Sequence, residues 1–175
     1  SSRLPGKVLK EVNGKPLIEI LFHRISQSKK IDKIILATSQ SQENDRLVET
    51  VETLGYKVFR GSEEDVLGRY YHAAKLYNSR TIVRITGDCP IIDPIIVDEV
   101  INMYQDETID YVSNADPPTF PDGLDVEVFS MDALEIAHEN AVKPFEREHV
   151  TPFIRASKQF RCKNYFNEED LSDER

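Results

Sequence analysis

Cysteine is scarce. The chain of 175 residues holds two, Cys89 and Cys162, and their separation fits no metal-binding pattern. They read as free thiols in a reducing cytoplasm. Long apolar runs are missing too: none approaches the roughly 18–20 residues that span a bilayer, and no signal-peptide pattern is visible. A cytoplasmic protein without a membrane partner is therefore the expectation. Positive charge is in deficit, with 22 Lys and Arg against 31 Asp and Glu, a net charge of −9. That balance argues against nucleic acid as a partner. The two glycine-rich phosphate loops, G-x-x-x-x-G-K-[ST] and G-x-G-x-x-G, do not occur, so P-loop ATPase and dinucleotide-binding readings lose their main support.

What is present is an ordinary globular composition, 39% hydrophobic and 30% charged, long enough to bury a core as one domain over residues 1–175. Internal repeats, low-complexity tracts and interdomain linkers are lacking. The charge is unevenly spread. Residues 1–33 carry eight Lys or Arg and three acids, +5, which leaves −14 for the remainder. A basic amino-terminal piece on an acidic body suggests a local anion site.

The central stretch is Thr81-Ile-Val-Arg-Ile-Thr-Gly-Asp-Cys-Pro-Ile-Ile-Asp-Pro94. Ile82, Val83 and Ile85 read as a buried strand that stops at Gly87-Asp88; Asp93 then caps a helix with Pro94 in its first turn. Asp88 thus sits just past the carboxyl end of a strand, where ligands bind in open α/β sheets. Such a carboxylate suits a hard cation, or it simply caps the turn. Around this stretch the periodicity predicts a helix from Pro16, strands at 33–38 and 56–60, and a helix capped by Ser41. Ser62-Glu-Glu-Asp65 has capping-box spacing before another helix. Strands at 109–113 and 126–129, a helix from about 130 to 142 and a last strand at 160–166 complete the pattern. Glu146–Arg155 looks helical, but Pro152 kinks it or divides it. Strands alternating with helices every 20–25 residues mean βαβ units and an α/β fold with a mostly parallel sheet.

Several residues outside the central stretch carry chemistry. Leu4-Pro-Gly-Lys7, with Arg3 and Lys15 nearby, offers backbone amides and positive charge to an anion, or is a surface turn. In a strand beginning near Leu124, Asp125 and Glu127 share one face and Val126 and Val128 the other. Those two acids meet either solvent or a cation or polar ligand. Glu148 and His149 could face a substrate, with salt bridging to Arg147 as the plainer use.

Together these stretches resemble a known family. Ser-Arg-Leu-Pro-Gly-Lys-Val-Leu near the start and Gly14-Lys-Pro-Leu17 match the signature loop of sugar nucleotidylyltransferases. Ala37-Thr-Ser39, Arg60-Gly-Ser-Glu-Glu-Asp-Val-Leu-Gly-Arg-Tyr70, Arg84-Ile-Thr-Gly-Asp-Cys-Pro90, Pro121-Asp-Gly-Leu-Asp-Val-Glu-Val-Phe129 and Glu146-Arg-Glu-His-Val-Thr-Pro152 look like the spore-coat polysaccharide cytidylyltransferases (SpsF type). That group is related to the CMP-sialic acid and CMP-3-deoxy-manno-octulosonate synthetases. The resemblance implies a three-layer α/β/α, Rossmann-like nucleotide-diphospho-sugar transferase fold.

It also implies a reaction: CMP passes from CTP to a sugar or sugar acid, with release of pyrophosphate, in surface polysaccharide biosynthesis. Arg3, Gly6, Lys7 and Lys15 would hold phosphates. Thr38, Ser39, Arg60, Gly61 and Ser62 would line the base and ribose pocket, with Asp65 and Arg69 just behind. Lys7 and Asp88 would be the catalytic pair, Asp88 holding Mg²⁺. Asp122, Asp125, Glu127, Glu148 and His149 are the acceptor-side candidates. Family members begin with a strand and an Ala-Arg-x-Gly-Ser segment and continue past residue 175 into a strand with a further Asp. The chain is therefore expected to lack its first strand and its carboxyl-terminal end. Related synthetases are often dimers, which admits a homodimer. A guanylyl- or other nucleotidylyltransferase acting on a sugar 1-phosphate, a non-catalytic nucleotide-binding domain and a glycosyltransferase stay open as alternatives.

Overall fold

The alternation of strands and helices is realised in the computed structural model, which describes residues 6–105 and 108–174. A 3₁₀ turn over Lys7–Leu9 leads into a small antiparallel ribbon, β1 (Glu11–Val12) and β2 (Lys15–Pro16). Asn13 and Gly14, both with positive φ, form its two-residue turn. Helix α1 (Leu17–Ile25) buries Ile18, Leu21, Phe22 and Ile25 along one stripe. Strand β3 (Ile35–Ser39), helix α2 (Asp45–Thr53) and strand β4 (Lys57–Gly61) make a βαβ unit, its two strands parallel from Ile35↔Lys57 to Ser39↔Gly61. Gly55 closes α2 with φ 86.

Helix α3 (Val66–Leu76) precedes β5 (Thr81–Arg84), the strand that carries the central stretch. Helix α4 (Pro94–Tyr104) starts as its sequence dictates: Asp93 Oδ1 accepts the Ile95 N–H at 2.8 Å. Strands β6 (Tyr111–Ser113) and β7 (Glu127–Ser130), helices α5 (Met131–Asn140), α6 (Pro144–His149) and α7 (Pro152–Ala156), and strand β8 (Cys162–Asn164) complete the order. The second sheet runs β5-β7-β6-β8.

Two cores flank the sheets, giving three α/β/α layers. One packs α1, α2 and α4 against Val112, Val126 and Val128. The other packs α3, α5 and the α6–α7 region against Ile82, Tyr111 and Phe129. Adjacent strand residues thus feed opposite cores, Tyr111 and Val112 on β6, Val128 and Phe129 on β7.

Some boundaries differ from the sequence reading. Ser41 begins a 3₁₀ turn over Gln42–Asn44 with no side-chain cap bond, and α2 starts only at Asp45. The capping residue of α3 is Asp65 instead of Ser62: its carboxylate accepts the Gly68 N–H at 2.9 Å. The stretch with Pro152 divides into two short helices, because proline lacks the N–H a continuous helix needs. Strand β7 runs antiparallel to both β5 and β6, while β5, β6 and β8 share one direction. No helix lies between β6 and β7, so no parallel crossover is imposed there.

Among the described residues β3 hydrogen-bonds only to β4, and β5 only to β7. A cleft of about 1360 Å³ lies between them, lined by Ile18, Leu21, Leu36, Val83, Ile85 and Tyr104 among others. No helix among the described residues is long and apolar enough to cross a membrane.

Candidate functional site

Strand β5 ends at Arg84, and the turn that follows presents Asp88. The opening 3₁₀ turn brings Lys7 to it: Nζ lies 2.8 Å from Asp88 Oδ2, 81 residues away in sequence. Gly6 makes this possible by entering the turn at φ 69. Burial alone would raise the Asp88 carboxyl, but Lys7 and the Thr86 hydroxyl hold it below the usual carboxylate range. Both side chains stay accessible, Lys7 at 32% and Asp88 at 50% exposure. Lys15, on β2, pairs with Glu19 at 3.3 Å. Arg3 lies outside the described residues.

A second group lies at the carboxyl ends of β3 and β4. Thr38 and Ser39 are buried there, with Ser39 directly opposite Gly61. Arg60 has all three guanidinium nitrogens engaged. Nη1 meets Asp45 Oδ1 at 2.7 Å, Nη2 donates to Ser41 O at 2.9 Å, and Nε donates to Ser39 O at 3.3 Å. It braces the loop after β3. Gly61 is crowded: a Cβ there would sit 3.0 Å from Arg69 Cγ, so the Arg69 side chain would have to give way. Arg69 Nη1 donates to Ser62 O at 2.8 Å, and Ser62 Oγ accepts from Asp65 N at 3.1 Å. Asp65 is held by Arg147, whose Nε and Nη2 reach its two oxygens at 2.9 and 2.5 Å. The expected salt bridge of Arg147 to Glu148 is thus replaced by one to Asp65.

The acceptor-side candidates separate. Asp125, Glu127 and His149 line a smaller pocket of about 300 Å³, together with Arg84, Thr86, Ser113, Thr151 and Arg155. Asp122 and Glu148 are exposed and are not part of that lining. Glu127 is the hub. Its Oε2 pairs with Arg84 Nη1, and its Oε1 accepts from Tyr111 at 2.7 Å and Thr151 at 2.6 Å. Burial would lower the Arg84 pKa, yet Glu127 and Tyr70 push it above its ordinary value, so it stays charged. Burial and the Glu127 charge push Tyr111 upward. Arg155 pairs with Asp116 at 2.6 Å. The sequence reading did not single out Arg84, Thr151 or Arg155. Arg84 alone left a signal, being a charged residue inside an apolar strand.

Among the described residues no group of three or more His, Cys, Asp or Glu side chains could hold a metal ion. A single ionised carboxylate does not build an all-protein cage. Its chemistry does fit a hard cation shared with phosphate oxygens, because Mg²⁺ usually takes one or two carboxylates and keeps waters and phosphates as its other ligands.

Comparisons with known proteins identify the family. The cytidylyltransferase family matches the chain over residues 1–174. An uncharacterised protein of Methanocaldococcus jannaschii is 45% identical over 154 residues, covering 88% of this chain and 62% of its own. The spore coat polysaccharide biosynthesis protein SpsF of Bacillus subtilis is 37% identical over 160 residues, covering 89% of this chain and 65% of its own. The chain thus spans less than two thirds of the length of these curated relatives. A solved cytidylyltransferase from Leptospira borgpetersenii superposes with a TM-score of 0.95 at 35% identity, over 100% of this chain and 75% of that one. With a family match over residues 1–174 and a solved relative that superposes over the whole chain, the chain belongs to the cytidylyltransferase family.

Proposed function

We propose that this chain is the nucleotidyl-transfer domain of a CTP-dependent enzyme that activates a sugar or sugar acid for surface polysaccharide synthesis. The observation that carries the reading is the Lys7–Asp88 pair at the carboxyl end of β5. It sets one positive and one negative group side by side where phosphates bind in this sheet architecture. The family match supports CTP as donor, and the kinship with a spore coat polysaccharide protein supports the pathway class.

In the proposed step an oxygen of the acceptor forms a bond to the α-phosphorus of CTP. The bond from that phosphorus to the oxygen bridging the β-phosphate breaks, and pyrophosphate leaves with the electron pair. The acceptor proton passes to solvent. Such transfer depends on positioning and on neutralising the charge that spreads over phosphate oxygens. Lys7 supplies a fixed positive charge. Gly6 brings backbone N–H groups close to the phosphates, with Lys15 and Arg3 as outer charges. Asp88 would hold Mg²⁺, which supplies charge neutralisation on the phosphate oxygens when bound. Thr38, Ser39, Gly61 and Ser62 form the nucleoside wall, braced by Arg60, Asp65 and Arg69. Asp125, Glu127 and His149 face the acceptor across the smaller pocket.

The cleft between β3 and β5 belongs to the same reading. One further parallel strand would pair with both edges and join the two sheets beneath the site. The test is pyrophosphate release from CTP with a panel of sugars and sugar acids. Asp88→Asn is expected to reduce the rate by about 10²–10³-fold with the circular dichroism spectrum unchanged. A near-normal rate would remove Asp88 from the mechanism.

A further inference from the structure

Val150 is fully buried, β-branched and left-handed, with φ 73 and ψ −58. The Thr151 N–H donates back to His149 O at 2.9 Å, closing a γ-turn of the rare, strained type. A valine keeps such a conformation only where its surroundings over-determine it. Here the turn is pinned on both sides. After it, Thr151 Oγ1 donates to the buried Glu127 carboxylate in the wall of the smaller pocket. Before it, Arg147 forks onto Asp65, and its Nη1 donates to His138 O at 2.7 Å. His149 stands between the two anchors and lines the pocket, its ring 4.7 Å from that of Phe145.

Asp65 is itself part of a bonded loop. It takes the Gly68 N–H, its own N–H donates to Ser62 Oγ, and Ser62 O accepts from Arg69. The segment from Ser62 to Asp65 and the corner between α6 and α7 are therefore one hydrogen-bonded unit. A bidentate guanidinium–carboxylate pair fixes orientation as well as distance, so neither part shifts without breaking the fork. Arg147 is only 22% exposed on its side chain, which limits screening by solvent.

We infer that Arg147 is a positioning residue that ties the nucleotide loop at 61–65 to His149 and Thr151, so that nucleotide binding orders the wall of the acceptor pocket. The tether stands on the geometry alone; its response to nucleotide rests on the function proposed above. By linkage, whatever orders this wall also tightens the nucleotide loop.

Amide hydrogen exchange on the wild type, Arg147→Ala and Arg147→Lys, with and without Mg²⁺ and CTP, tests both parts. Calorimetry measures CTP affinity in parallel. Without nucleotide, residues 144–156 should exchange about tenfold faster in Arg147→Ala, the scale of one lost charge-assisted contact. Arg147→Lys keeps the charge without the fork and should fall between, while β6 and β7 stay as protected as in the wild type. On adding CTP, protection of 144–156 should rise in the wild type and not in Arg147→Ala, although both bind. Unchanged exchange in the ligand-free alanine variant, or faster exchange spread evenly over β6 and β7, would overturn the tether. Equal CTP-induced protection in wild type and variant, or none in a wild type that binds CTP, would overturn the coupling. A wild type that binds no CTP, with or without a further strand ahead of residue 1, would sink the proposed function and the coupling with it, while the ligand-free arm still decides the tether.

Discussion

Glu127 is the residue on which most of the pocket turns. It serves Arg84, Tyr111 and Thr151 at once, from a side chain only 11% exposed. Breaking a buried pair costs more than the pair is worth, because the remaining charge stays desolvated. Glu127→Gln keeps the shape and leaves Arg84 uncompensated. It should lower unfolding free energy by about 3 kcal/mol, read from the urea midpoint. A shift below about 0.5 kcal/mol would mean that Arg84 finds another partner or water.

Asp65 sets a pH dependence at the same scale. Burial raises its pKa, but the Arg147 fork and the Gly68 N–H outweigh that and hold it below the usual carboxylate range. Since the folded value is the lower one, the contact stabilises the fold fully above the unfolded value near 3.8 and is lost as pH falls through the folded value. Acid unfolding of Arg147→Ala should therefore lose part of the steepness seen for the wild type below about pH 4. Identical acid limbs would contradict this.

Among the elements, β7 does most to join the layers. Val128 enters one core and Phe129 the other, and both are fully buried. Phe129→Ala should cost about 3–5 kcal/mol, since ring and cavity terms add. The exposed Phe145→Ala should cost little in stability and should act, if anywhere, on acceptor affinity, because Phe145 lines the smaller pocket. Differential scanning calorimetry of the two variants separates these expectations.

Much of this level was legible in sequence. The Asp93-Pro94 start of α4, the stripe of α1 and the two faces of the 125–128 stretch all follow from local periodicity and capping chemistry. The α3 cap was misplaced by three residues. Ser62 and Asp65 are both good caps; Asp65 starts the helix, accepting the Gly68 N–H while it also takes the Arg147 fork. The reversed direction of β7 follows from a helix-free connection, which the Pro117-Pro118 to Gly123 loop displays but does not by itself orient. Partners across the sheet, such as Arg84 with Glu127, are separated by 43 residues and leave no local trace.

For the whole molecule, the Lys7–Asp88 contact joins the start of the described chain to its middle, and the site spans the ends of three strands. The cleft between β3 and β5 makes a prediction of its own. Appending a strand-forming segment ahead of residue 1 should raise Tm, because two strand edges that pair with nothing on that side among the described residues would be covered. An unchanged Tm would mean that the cleft takes no strand.

The central claim is that this site selects CTP. The most direct measurement is calorimetric titration of CTP, GTP, UTP and ATP, with and without Mg²⁺, into the chain and into the version carrying the added strand. The account predicts magnesium-dependent binding with CTP favoured over the other three. Selectivity for GTP would move the donor to guanylyl transfer, and absence of binding in both versions would contradict the nucleotidyl-transfer reading altogether.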